Sequence, residues 1–179
     1  MLTQLKERLF RRRAAAEHQP GKPAVRPVNL ITAKNIVILF PADEAADRKT
    51  IDRWRDGFRS PGTKIKLAGY FSQDVGETNF GFPAISVKHQ TWYGAPQGAP
   101  VEDYRKLDCD ILLRLGPVSH RELDYLAATK SAQIKVGPYL PGKDSPYHLQ
   151  FDAGSATSVK DQLAAIEQIF TFTNANSTT

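Results

Sequence analysis

The chain has 179 residues and a formal net charge of +5, and this length fits one domain with a short extension. Its single cysteine, Cys109, excludes an internal disulfide and a zinc site built from several cysteines. No apolar run approaches the ~20 residues that a transmembrane helix needs. Charged residues also interrupt every N-terminal window that could form the apolar part of a signal peptide. These features predict a cytoplasmic protein.

The net charge is concentrated in residues 1–27, where seven basic side chains oppose two acidic ones, while the rest of the chain is neutral. Apolar residues recur at helical spacing within the first ten positions. Two prolines and a glycine at positions 20–23 end any helix there. The segment is therefore predicted to be a basic amphipathic helix on a Pro/Gly linker, with little part in the core. Its apolar residues are Leu2, Leu5, Leu9 and Phe10.

A basic arm of this kind attracts polyanions, whether nucleic-acid phosphates or anionic lipid headgroups. The side chains predicted to bind the polyanion are Lys6, Arg8, Arg11, Arg12 and Arg13. In an alternative arrangement, the leucine face packs on the protein's own domain or on a second copy. The sequence leaves the oligomeric state open.

Strand and helix patterns alternate along the rest of the chain. Residues 35–40 form a continuous apolar run typical of a central parallel strand. Asp43 is expected to cap the following helix, which buries Trp54 and Phe58 on the sheet. Residues 119–122 have the Ser-x-x-Glu spacing of a capping box and predict the start of another helix.

This alternation predicts an α/β fold: a single three-layer, Rossmann-like or flavodoxin-like domain with a mostly parallel sheet and helices on both faces. The domain is predicted over residues 28–173, with its last helix capped at residues 157–158 and a polar tail over residues 174–179. Strands 35–40 and 110–115 are expected at the centre of the sheet, and the strand order stays open. The predicted strands are residues 35–40, 64–71, 84–88, 110–115, 133–137 and 147–151.

Sheets of this type bind ligands beyond the carboxyl ends of their strands. The segment after the first strand reads FPADE and lacks the glycines of a GxGxxG phosphate loop, and no P-loop sequence occurs in the chain. Ser119 and His120 precede a helix whose free amides and dipole suit an anion, so they are a candidate ligand site, although capping alone explains Ser119. The histidines show no metal-ligand spacing. No catalytic residue, metal or cofactor is therefore predicted.

Two adjacent aromatic residues, Trp92 and Tyr93, lie in a long loop rich in glycine and proline. Exposed aromatic rings can stack a base or a sugar, and loops of this length are often functional. The alternative is that the pair holds the loop onto the sheet. We therefore treat Trp92 and Tyr93 as a candidate ligand or partner loop.

The succession NLITAKNIVILF, WYG, DILLRL and LDYLAATKSAQIKVGPY resembles a family of uncharacterised small α/β proteins from Bacteroidota, over residues 28–172. That resemblance implies no established activity. A strand ending in Asp-Ile-x-Leu, followed by a helix and a Val-Gly strand, is also similar to one half of heptosyltransferase-type glycosyltransferases. Those enzymes act in a cleft between two Rossmann-like domains, so the likeness to one half does not imply transfer activity here.

The sequence favours a non-catalytic binding or accessory protein that docks through its basic arm on RNA, a ribonucleoprotein or another acidic surface. One alternative is a peripheral protein of the inner membrane, anchored by the same arm. Another is a small enzyme that binds a nucleotide or sugar nucleotide at the strand ends. The arm favours the two docking functions because it has a physical role in both.

Overall fold

The computed structural model describes residues 2–21, 28–139, 141 and 145–175, with side chains as far as residue 171. Within these residues the chain forms six strands and five helices. The strands are β1 (Asn35–Pro41), β2 (Lys64–Phe71), β3 (Ala84–Ser86), β4 (Ile111–Arg114), β5 (Ile134–Pro138) and β6 (Leu149–Phe151). The helices are α1 (Leu2–Glu17), α2 (Ala45–Gly57), α3 (Ala99–Lys106), α4 (Arg121–Thr129) and α5 (Val159–Ala175). The predicted linker residues 22–27 and the predicted tail residues 176–179 lie outside the described residues.

The described strands form one all-parallel sheet in the order β3-β2-β1-β4-β5-β6. This is the Rossmann strand order, in which the chain runs from β1 toward one edge and then crosses back to β4. The apolar runs correctly predicted β1 and β4 as the central pair. The crossover leaves an opening beyond the carboxyl ends of β1 and β4. We call this opening the crevice.

Helices cover both faces of the sheet because the side chains of β1 alternate between two buried layers. Ile36, Ile38 and Phe40 enter a core shared with α2 and α5. Val37 and Leu39 enter a second core on the opposite face, shared with α1, α3 and α4. Burial on both faces explains why this strand is a continuous apolar run rather than an alternating pattern.

The start of α2 differs from the prediction. Glu44, not Asp43, is the N-cap residue, and its side chain makes no capping hydrogen bond. Asp43 Oδ1 instead accepts a hydrogen bond of 2.9 Å from the Ser72 amide, across the carboxyl ends of β1 and β2. Asp43 therefore ties two strand ends together rather than capping the helix.

The aromatic residues of α2 are less enclosed than predicted. Trp54 and Phe58 are half-buried, with ring centroids 5.2 Å apart, and pack against the edge of the core. The indole Nε1 of Trp54 donates a 2.7 Å hydrogen bond to the Glu167 carboxylate on α5. Trp54 thus lies at the boundary between two surface helices, and Ile51 is the fully buried residue of α2.

The start of α5 agrees with the prediction that the helix is capped at residues 157–158. Ser158 Oγ accepts a hydrogen bond of 3.1 Å from the Asp161 amide and donates one of 2.6 Å to the Asp161 carboxylate. The helix continues to Ala175, so its last two residues belong to what the sequence predicted as tail.

Candidate functional site

The basic helix α1 packs directly on the domain through Phe10. This residue is 7 % exposed, and its ring centroid lies 5.3 Å from that of Tyr125 on α4. The guanidinium of Arg121 stands 3.8 Å from the centroid of the same ring, a cation–π contact. Phe10 therefore belongs to the core, although its segment was predicted to contribute little to it.

A second attachment is centred on Glu17, in the last turn of α1. Its carboxylate lies 2.9 Å from Nε of Arg13 and 2.6 Å from Nη2 of Arg105 on α3, and it accepts a hydrogen bond from the Tyr125 hydroxyl. Burial alone would raise the pKa of Glu17, but the bonds from Tyr125 and Arg13 and the charge of Arg105 lower it overall. An acidic side chain of the basic arm is thus one of its main contacts with the domain.

The chain beyond α1 is also fastened. The Gln19 amide donates a 2.9 Å hydrogen bond to the carbonyl of Ala128. Lys135 Nζ donates to the carbonyls of Gln19, at 2.8 Å, and Ala128, at 3.1 Å. Lys135 is buried, and burial lowers its pKa to about 8. These bonds extend the attachment of α1 past the end of the helix.

The basic residues predicted to bind a polyanion divide between the two sides of α1. Arg13 faces the domain, and Lys6 is half-buried. Arg8, Arg11 and Arg12 are exposed; Arg11 pairs with Glu7 at 2.7 Å. Within the described part of the chain, no hydrogen bond or ion pair engages the side chains of Arg8 and Arg12.

The apolar face of α1 packs on the domain only in part. Phe10 is buried and Leu9 is half-buried, whereas Leu2 is 63 % exposed and Leu5 is 48 % exposed, so the alternative in which this face packs on the protein's own domain holds for its Phe10 end and not for Leu2 and Leu5. Residues three or four positions apart are neighbours on a helix surface. Leu2, Leu5, Arg8 and Arg12 follow one another at spacings of three, three and four, and we call this set the outer ridge.

The loop that carries Trp92 and Tyr93 is joined to α1. The Tyr93 hydroxyl accepts a 3.1 Å hydrogen bond from Nη1 of Arg13, and the Tyr93 carbonyl accepts one of 3.3 Å from Nη2 of Arg121. Trp92 is 59 % exposed, and its ring stands perpendicular to that of Tyr93. Tyr93 therefore fastens the loop, whereas Trp92 presents its ring to solvent.

Ser119 and His120 lie at the rim of the crevice but do not form a catalytic pair. His120, not Ser119, is the N-cap residue of α4, and its Nδ1 accepts a hydrogen bond of 3.4 Å from the Leu123 amide. The capping box was therefore assigned one residue too early. Burial is the main cause that lowers the pKa of His120. Ser119 is exposed.

At the β4 end of the crevice, the backbone of Gly116 is bonded by a side chain of the protein itself. The Gly116 amide, which directly follows β4, donates a 2.8 Å hydrogen bond to Oε1 of Gln162. Nε2 of Gln162 donates back to the Gly116 carbonyl and to the Ala156 carbonyl, each at 3.0 Å. Pro41 lies 2.8 Å from the position that a Cβ on Gly116 would take. A backbone amide that could have met a phosphate is thus already bonded.

Arg114, the last residue of β4, is a buried charge that was not among the residues predicted from the sequence. Its Nη1 donates to the carbonyl of Pro117. Its Nη2 lies 2.9 Å from Oδ1 of Asp124, an ion pair without hydrogen-bond geometry, and its buried Nε has no hydrogen-bond partner among the described residues. The Tyr147 hydroxyl donates a 2.8 Å hydrogen bond to the same carboxylate oxygen. The sequence could have indicated this residue, because a charged side chain inside the apolar run DILLRL is expected to be buried with the strand. Arg114 holds the loop after β4 against α4.

Two further properties of the described residues bear on the site. Among the described residues, no three His, Cys, Asp or Glu side chains converge closely enough to hold a metal ion. In the same part of the chain, no helix combines the length and the apolar character needed to cross a bilayer.

Comparison with known proteins identifies the family. The sequence model of DUF6913, a family of unknown function, matches residues 6–170. The chain belongs to this family. No curated protein and no solved structure matches the chain. The DUF6913 match begins within α1, so the helix and the sheet domain are matched together, in agreement with the packing of Phe10 and Glu17.

Proposed function

We propose that this DUF6913 protein is a non-catalytic docking protein that binds an anionic membrane surface through the outer ridge of α1. The observation that carries the proposal is the side of α1 that faces solvent. Leu2 and Leu5 are exposed directly beside Arg8 and Arg12, an arrangement in which apolar side chains can enter the headgroup region while guanidinium groups meet lipid phosphates.

The expected strength of such docking is low. Each arginine near an anionic leaflet contributes about 1 kcal/mol, and partial burial of two leucines adds about 2 kcal/mol. With Arg8 and Arg12 in contact, the sum of about 4 kcal/mol corresponds to reversible binding, with a dissociation constant of about 1 mM. A peripheral protein that leaves and rejoins the membrane fits this affinity.

Because α1 is attached to the domain, docking through α1 would fix the orientation of the domain relative to the membrane. Because Phe10 and Glu17 fasten the opposite side of the helix to α3 and α4, a bound ridge would orient the whole domain on the surface. A flexible tether would leave that orientation free. The protein would then present a defined face of the domain to other molecules at the membrane.

A second candidate function is binding of single-stranded RNA, alone or in a ribonucleoprotein. The exposed ring of Trp92, fastened through Tyr93 to Arg13, supports it, since nonspecific RNA binding combines arginines with aromatic rings that stack bases. The exposed leucines of the outer ridge have no role in that function. We therefore favour the membrane surface. The bonded Gly116 amide in the crevice weighs against a nucleotide-binding enzyme.

Vesicle flotation tests the proposal with paired variants. The protein should float with vesicles of phosphatidylcholine and phosphatidylglycerol, but not with phosphatidylcholine alone. Arg8→Glu/Arg12→Glu and Leu5→Asp should each reduce flotation at least fivefold. The matched controls are Lys49→Glu/Arg53→Glu, two exposed residues at the same spacing on α2, and Ile31→Asp, another exposed apolar residue.

The same proteins should be titrated with fluorescein-labelled single-stranded RNA. Binding of RNA that weakens with Trp92→Ala and with rising salt, together with no flotation, would overturn the membrane proposal and support the second candidate. Equal loss of flotation in the α2 control would show that net charge alone matters, which also contradicts docking by the ridge.

A further inference from the structure

We propose that the free half-edge of β2 accepts an acidic extended peptide from a partner protein as an added strand. This inference is independent of the membrane proposal because it concerns a different surface. Parallel pairing with β1 covers β2 from Lys64 to Tyr70, whereas β3 pairs only with residues 69–71. Residues 64–68 therefore have no neighbouring strand on the β3 side of the sheet.

Two hydrogen bonds define which backbone groups face that open side. The Lys64 amide donates to the Lys34 carbonyl at 2.7 Å, on the β1 side, and the Gly69 amide donates to the Pro83 carbonyl at 3.1 Å, on the β3 side. Since backbone groups alternate along a strand, the amides and carbonyls of Ile65 and Leu67 point away from β1. No hydrogen bond from the described residues reaches them.

Pro83 explains why β3 does not continue the pairing. The next bond of the ladder would run to the Leu67 carbonyl from the backbone nitrogen of residue 83, and proline has no N–H to donate. The chain before Pro83 then diverges, and a cavity of about 570 Å³ lies beside the edge. Its lining includes the apolar side chains of Leu67, Phe80, Phe82 and Leu107, together with Asp52 and Arg55, which pair with each other at 3.0 Å.

The charges on the edge indicate the chemistry of the occupant. Lys64 and Lys66 are two positions apart and so project on the same face of the strand, and neither makes an ion pair within the described residues. An incoming strand would place alternate side chains opposite these lysines and opposite the apolar face of Ile65 and Leu67. The partner is therefore an extended segment in which acidic and apolar residues alternate.

The same lysines argue against a second copy of this chain as the occupant. Two β2 edges brought together would set lysines against lysines, and like charges directly opposite one another are destabilising. Edge lysines are a common protection against such self-association. A strand with carboxylates opposite the lysines would be attracted to them. In β-strand addition, such alternate side chains determine which partner binds.

Amide hydrogen exchange measured by NMR tests the inference directly. The probe is the acetylated and amidated hexapeptide Glu-Val-Glu-Val-Glu-Val, at millimolar concentration, with Lys-Val-Lys-Val-Lys-Val as its charge control. The acidic peptide should slow exchange at Ile65 and Leu67 at least fivefold. Exchange at Lys66, whose amide already faces β1, should stay unchanged. The basic peptide should have no effect.

Two variants sharpen the result. Ile65→Pro removes an outward donor without removing a bond to β1, and Lys66→Glu reverses a facing charge; each should weaken peptide binding at least threefold. Lys49→Glu is the matched charge control, and melting temperatures show whether each variant is folded. No protection at saturating peptide, or equal protection by an N-methylated peptide that cannot pair, would overturn the proposal. Protection without peptide in a dimer seen by sedimentation would also overturn it, in favour of a second copy.

Discussion

Arginine side chains occupy two opposite environments in this molecule, the crevice between β1 and β4 and the outer ridge of α1. In the crevice, Arg114 is fully buried and engages the Pro117 carbonyl and the Asp124 carboxylate. On the outer ridge, Arg8 and Arg12 are exposed and engage no described residue. In the usual ligand region of this fold, the Gly116 amide and the Arg114 guanidinium thus contact the protein's own groups, whereas the exposed arginines lie on a helix outside the sheet.

The difference separates side chains that stabilise the fold from side chains that can bind something else. A buried charge is costly unless it is paired and hydrogen-bonded, so removing one partner of the Arg114–Asp124 pair should destabilise the fold. An exposed arginine carries no such requirement, and its contribution to stability is small. Substitutions at the two places should therefore give opposite results.

The largest expected effect is at Arg114. Arg114→Met keeps most of the side-chain volume but leaves the Asp124 carboxylate without its cation. We expect a loss of about 3 kcal/mol in the free energy of unfolding, the lower end for breaking a buried pair, because Tyr147 still bonds the carboxylate. Urea denaturation measures the loss, with the exposed Arg53→Met as control. A loss under about 1 kcal/mol would mean that the crevice is not held by this pair.

Phe10 should give the next largest effect, because it connects the ridge-bearing helix to the core. Phe10→Ala should lower the free energy of unfolding by about 2 kcal/mol, less than the ~3–5 kcal/mol of an enclosed phenylalanine, since α1 can shift to fill part of the space. Limited proteolysis should also cut α1 earlier in the variant. Leu5→Ala is the control on the same helix. Equal stability of the two variants would show that α1 is not part of the folded unit.

The strand that carries Arg114 and the helix that carries Phe10 show where the sequence was informative and where it was not. The apolar runs predicted the positions of the strands closely, because burial on both faces of a parallel sheet leaves a local signal. The attachment of α1 left no such signal. Which apolar residue of the helix faces the domain depends on Tyr125 and Arg121, more than a hundred positions away in the chain.

The candidate site was predictable only in its parts. The basic residues and Trp92–Tyr93 were identified separately, but the contact between Arg13 and Tyr93 joins residues 80 positions apart. Local capping patterns gave the approximate starts of α2 and α4, while the cap residues shifted by one position each. For α2 the reason is tertiary, because Asp43 is bonded to the amide of Ser72 in another loop.

A smaller effect should appear as a pH dependence that belongs to Glu17. Its pKa is lower in the folded protein than its ordinary value of 4.5, so the ionised carboxylate favours folding. This stabilisation is complete above the ordinary pKa and is lost as the pH falls through the lowered folded value. Glu17→Gln should cost about 1 kcal/mol at pH 7, discounted for partial exposure, and less at pH 3.

Urea denaturation of Glu17→Gln and of the parent protein at both pH values checks this expectation. Glu102→Gln is a suitable control, because Glu102 pairs with Arg105 at 3.0 Å but is more exposed. A difference between parent and variant that grows as the pH falls would have the wrong sign and would contradict the role given to Glu17.

The smallest expected effect on stability is on the outer ridge itself. Arg8→Glu/Arg12→Glu and Leu5→Asp should change the free energy of unfolding by no more than about 0.5 kcal/mol, as exposed substitutions generally do. The same variants should lose vesicle binding, because the side chains they alter have no other partner among the described residues. Unfolding in urea and flotation must therefore be measured on the same preparations. If these variants unfold as easily as Phe10→Ala, the leucines and arginines serve the fold or a second copy of the chain. Docking would then have to be sought at another surface, with Trp92 the first residue to test.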